Sequence, residues 1–114
     1  MKARPIVPRE RARADVEAAL DHYLEEGGEA VALDFLEALE RAFAHVARYP
    51  ATGSPRFALE LNLPGLRSWR LSPHPYLLFY VERTECIDVW RVLHVRRDIP
   101  ERIQDEGSEA LPAP

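Results

Sequence analysis

The 114-residue chain has one cysteine, Cys86, so no disulfide can form within it. That usage fits a reducing, cytoplasmic compartment. Cys86 opens an expected strand rather than a helix, which speaks against an activated thiol. The four histidines are scattered, and neither a His-x-x-x-His nor a Cys-x-x-Cys pairing occurs. No metal site is therefore expected, and no cofactor. Glycine is sparse, and Gly27-Gly28 and Gly53 lack the context of a phosphate-binding loop. No run of about 18 apolar residues exists, so no membrane-spanning helix is expected. Met1-Lys2-Ala3-Arg4-Pro5 is not followed by an apolar stretch, so it does not read as a secretory signal. Lysine is nearly missing as well: of fifteen cations, all but Lys2 are arginine.

The net charge of −4 argues against a broad nucleic-acid-coating surface. The charge is unevenly spread. Residues 1–50 carry seven cations against ten acids, whereas residues 66–97 carry six arginines against three acids. Guanidinium forks suit carboxylate and phosphate partners.

At this length one domain is expected, over residues 1–105, with 106–114 as a disordered tail. Ile6 and Val7 lie between prolines and can form only an edge strand. Ala12, Val16, Ala19, Leu20, Tyr23 and Leu24 share a helical stripe over residues 9–26. Gly27-Gly28 stops that helix. Ala32, Phe35, Leu36, Leu39, Phe43 and Val46 mark a second helix over 29–48, and the short connection makes the two an antiparallel hairpin. Residues 50–65, punctuated by proline and glycine, read as a loop. Strands are expected at 66–71, 76–82 and 86–94, the last two as a hairpin, with one or two helical turns over 97–105. The order β-α-α-β-β-β gives an α+β fold: a helical hairpin on a small antiparallel sheet.

Tyr76 to Val81 is apolar on both faces, which places it centrally. With Trp69 and Trp90, it implies apolar surface that a monomer leaves uncovered, open to a partner or a second copy. The candidate contact residues gather on the last three strands: Arg67, Trp69, Arg70, His74, Arg91, His94, Arg96 and Arg97. Arg91 shares strand parity with Ile87, Val89 and Leu93, so it is either edge-placed or paired, and a structural ion pair is the reading adopted. Asp15 with His22, and Glu37 with Arg41, read as surface pairs. No catalytic residue is assigned.

Three motifs carry a family resemblance. They are Gly65-Leu66-Arg67, His74-Pro75-Tyr76-Leu77-Leu78-Phe79-Tyr80 and Arg91-Val92-Leu93-His94-Val95-Arg96-Arg97-Asp98. With Ala14-Asp15-Val16 in the first helix and Gly53-Ser54-Pro55-Arg56 in the loop, the chain resembles the RelE/ParE toxin superfamily over roughly residues 8–100. The resemblance implies a toxin neutralised by a cognate antitoxin, as a toxin–antitoxin hetero-oligomer; a homodimer is the alternative. In the RelE-like branch the target is messenger RNA in the ribosome, and Arg70, Arg97 and His94 would stand over the phosphate. This chain departs from that branch with Leu77 in place of an arginine, Ser68 in place of a lysine and Ile103 near a tyrosine position. The His-Pro-Tyr strand and the Leu-His-x-x-Arg-Asp end are closer to the ParE-like branch, which implies inhibition of DNA gyrase by binding. Val95 stands where that branch often has glycine. A non-toxic homologue that only binds antitoxin is the third reading.

Overall fold

The computed structural model describes residues 3–97 and 99–108. Its elements run β1 (Ile6–Pro8), α1 (Glu10–Arg48), a 3-10 turn (Pro50–Thr52), α2 (Arg56–Leu61), β2 (Leu66–Arg70), β3 (Tyr76–Glu82), β4 (Ile87–His94) and α3 (Ile99–Ser108). The sheet order is β1-β4-β3-β2, with β1 parallel to β4 and the other pairs antiparallel. The sheet is thus mixed, and the expected hairpin of the last two strands forms.

α1 holds two helical arms joined at Gly28, whose φ of 82° lies in the region glycine enters without a Cβ penalty. Both arms bury their stripes in one core. Ala12, Ala19, Phe35, Leu39, Ala42 and Val46 meet Tyr76, Leu78 and Tyr80 of β3 and Ile87, Val89 and Val92 of β4. Leu24, at the tip of the first stripe, stays exposed.

The opposite sheet face is also covered, by the chain itself. Phe57 of α2 and Ile99 and Ile103 of α3 pack on Leu66, Phe79, Val81, Trp90 and Leu93. This corrects the expectation that the face of β3 away from the helical hairpin leaves apolar surface for a partner. Each such buried side chain contributes about 1.5–3 kcal/mol. The stretch read as loop over 50–65 contains α2, and the helix expected to stop at 105 continues to Ser108 with Glu106 buried. The rest of the expected tail, 109–114, lies outside the described residues, as does Asp98.

Two local contacts set the loop that leads to β2. The Tyr80 hydroxyl donates to the Pro50 carbonyl at 2.7 Å and accepts from the Gly53 amide at 3.1 Å. A Cβ on Gly53 would stand 2.2 Å from that hydroxyl, so only glycine allows the approach. Ser54 then bridges Ser68 on the outer edge of β2. Part of that edge is thereby paired.

Candidate functional site

β1 ends at Pro8, so it pairs with β4 only from Ile87 to Val89. Beyond that point the outer edge of β4 would hold unpaired amides. The first arm of α1 supplies the missing acceptor. Asp15 Oδ2 accepts from the Val92 amide at 3.0 Å and from Arg91 Nε at 2.7 Å, while Oδ1 accepts from Arg91 Nη2 at 2.8 Å. Arg91 therefore has the ion-pair partner its position required. The contact binds Asp15 inward and corrects its reading as a surface partner of His22. The parity expected along β4 also breaks. The β3–β4 ladder shifts between Phe79 and Tyr80, so Ile87 and Val89 face the helix-side core while Leu93 faces the other.

His74 is buried and held from two sides. Its Nε2 lies 2.8 Å from Asp34 Oδ2 and its Nδ1 lies 3.1 Å from the Tyr23 hydroxyl. A carboxylate only accepts, so Nε2 carries the hydrogen. The ring also packs edge-on against Phe35 and Tyr23. His74 thus pins both helical arms to the entry of β3, and burial raises the Tyr23 hydroxyl above its ordinary pKa, with Tyr76 adding to it.

The other candidate residues separate into two places. Near β2, Arg67 donates to the Gly53 carbonyl at 2.8 Å, and Trp69 stacks on His45 with ring centres 4.2 Å apart. Arg70 is exposed beside them, in a hollow shared with Arg41 and Ser72. At the end of β4, His94 and Arg97 line a cleft of about 320 Å³ together with His22, Tyr76 and Arg102. Arg96 and Arg97 are exposed next to it, and the Arg96 amide donates to His94 Nδ1 at 3.1 Å. Burial, then Arg96, Arg97 and His22, push the His94 pKa below its ordinary value.

Arg70 sits opposite Leu77 and Leu77 opposite Leu93, so two strand spacings, about 10 Å, separate Arg70 from that end of β4. The structure brings His94 and Arg97 into one cleft and leaves Arg70 in another hollow. His22 and Arg102 belong to the cleft and escaped the sequence reading. His22 lies seven residues after Asp15, on the same helical face, which is a usable signal; Arg102 has none, because only the docking of α3 places it.

Among the described residues no three His, Cys, Asp or Glu side chains converge as a metal-binding group. No helix among them is long and apolar enough to cross a membrane.

Residues 6–99 match the family described as ParE toxin of type II toxin-antitoxin system, parDE. No curated protein sequence matches the chain. Among solved structures, a chain of the "Chromosomal ParDE TA system from P. aeruginosa" superposes with a TM-score of 0.67 at 20% identity. The overlap covers 81% of this chain and 96% of that one. At that identity the likeness concerns the fold.

Proposed function

The chain belongs to the ParE toxin family of type II toxin–antitoxin systems, and from that premise we propose that it is the toxin of such a pair. It acts in the cytoplasm by binding DNA gyrase, performs no chemistry of its own, and is held inactive by a cognate antitoxin. The observation that carries this reading is the cation rim at the end of β4 and on β2. Arg70, Arg96 and Arg97 are exposed there and pair with no carboxylate among the described residues. Cations left unpaired at a surface are available to an acidic partner. His74 and Arg91 are engaged internally and support this surface from beneath, while Arg67, Trp69 and His94 border it.

Purified protein should inhibit supercoiling by purified gyrase, and the antitoxin should relieve the inhibition. Full supercoiling at a large molar excess of the protein would count against gyrase as the target. One observation favours a second reading, ribosome-dependent cleavage of messenger RNA: His94 and Arg97 share a cleft with the Tyr76 ring. Primer extension on translated messages after induction separates the two, since codon-linked cuts that disappear in Arg97→Ala require a nuclease. Harmless expression without antitoxin would instead mark a chain that binds antitoxin and has lost its target.

A further inference from the structure

Arg102 Nε is buried and has no hydrogen-bond partner among the described residues. A buried donor on a charged group without an acceptor is costly to the free protein, and native structures seldom leave one. The Arg102 side chain borders the cleft at the end of β4, where Arg97, His94, His22 and the Tyr76 ring also face. One carboxylate lines the same space, Asp15, and both its oxygens are taken by Arg91 and the Val92 amide. The cleft thus collects two guanidinium groups and two imidazoles with no free acid. The remaining wall is apolar, formed by Ala18, Ala19, Val92 and Leu93.

We propose that this cleft is a binding site for one carboxylate side chain, aspartate or glutamate, of a protein partner, with the guanidinium groups of Arg102 and Arg97 donating to its oxygens. Guanidinium groups bind carboxylates through planar forks. The apolar wall suits the methylene groups that carry such a carboxylate. A nucleic-acid strand fits less well. It brings successive phosphates, which need a track of cations, whereas this chain has a net charge of −4 and this cleft gathers only Arg97 and Arg102, with Arg70 in a separate hollow. The proposal rests on the toxin reading only for the identity of the partner, by naming what on that partner the rim recognises.

The test uses the full-length labelled protein and follows the Arg102 Nε–Hε and His94 ring signals by NMR at neutral pH. The probes are glutamate blocked at both ends, the equally blocked glutamine, and sodium chloride at matched ionic strength. Blocked glutamate should give saturable shifts that blocked glutamine does not. Arg102→Gln should weaken that binding roughly tenfold, the effect of losing one charge-assisted hydrogen bond. Arg97→Gln gives a second weakened variant should Arg102→Gln disturb the amide spectrum, and the remote Arg13→Gln should leave the affinity unchanged. Shifts that follow ionic strength alone, or that persist unaltered in both cleft variants, would overturn the site. A short single-stranded RNA that saturates the same signals at lower concentration than blocked glutamate would overturn the carboxylate in favour of a phosphodiester. Intact glutamate binding in a protein that leaves gyrase untouched would sink the gyrase reading alone; the reverse result would sink this site alone.

Discussion

The two ends of β4 treat charge in opposite ways. At the first end Asp88, almost fully buried, accepts from Arg9, Arg83 and the Trp90 ring nitrogen at 3.0–3.2 Å. Glu106 on α3 is equally buried and pairs with Arg9 at 3.0 Å and Arg11 at 3.3 Å. The Arg9 guanidinium also lies 4.6 Å over the Trp90 ring. Four cations and donors thus converge on two acids and tie α1, β4 and α3 together. At the second end Arg96, Arg97 and Arg102 have no acidic partner among the described residues. The same residue type holds the fold where an acid awaits it and presents a surface where none does. Arg91, between the two, belongs with the first group through Asp15.

This contrast ranks the expected effects of mutation. Asp88→Asn should be the most damaging, at about 3–5 kcal/mol, because it takes the buried carboxylate from Arg83 and the Trp90 ring nitrogen and leaves Arg9 with Glu106 alone. Chemical denaturation at neutral pH measures that loss. Burial alone would raise the Asp88 pKa, but the hydrogen bonds from Arg9, Arg83 and Trp90 outweigh it and hold the carboxyl below its usual range. Its contribution is therefore complete above about pH 4 and disappears as pH falls through the lower folded value. Denaturation midpoints measured across that window should fall steeply in the wild type and less in Asp88→Asn.

Asp15→Asn comes next, at about 3 kcal/mol, since it weakens the bidentate grip on Arg91 while leaving one acceptor for the Val92 amide. If it costs nothing, Arg91 is not part of the structural group. Tyr80→Phe supplies the neutral reference for these charged contacts: losing the bonds to Pro50 and Gly53 should cost about 1–3 kcal/mol in the same assay. The double substitution Arg96→Gln, Arg97→Gln should change stability by no more than about 0.5 kcal/mol. It should also raise the His94 pKa toward its ordinary value, since two of the nearby cations that depress it are gone. A ring-proton titration reads that change. With the His94 pKa depressed, the native state binds fewer protons than the unfolded one near pH 6, so any stability tied to His94 is present at higher pH and lost on acidification.

The helical hairpin and the three C-terminal strands were legible because their apolar periods extend over several repeats, and Gly28 marked the reversal without ambiguity. α2 was not legible, because six residues between proline and Asn62 are too few to show a helical period. That omission hid Phe57, and nothing in the sequence docked the expected turns over 97–105, with Ile99 and Ile103, onto the sheet, so the second face of β3 looked bare. The need of Arg91 for a partner could be read from its apolar neighbours. Its partner could not, since Asp15 is 76 residues away in sequence. The cleft was half legible. His94 and Arg97 stand in a conspicuous run, but His22 and Arg102 reach it only through packing of α1 and α3 against the strand end.

The separation of holding charges from presenting charges is tested most directly by measuring melting temperature and gyrase inhibition on the same purified samples of wild type and Arg96→Gln, Arg97→Gln. The double variant should melt within about 4 °C of wild type, as expected for a change well below 1 kcal/mol in a domain of this size, and should lose supercoiling inhibition. Wild-type inhibition by the double variant, or a fall in melting temperature as large as that of Asp88→Asn, would contradict it.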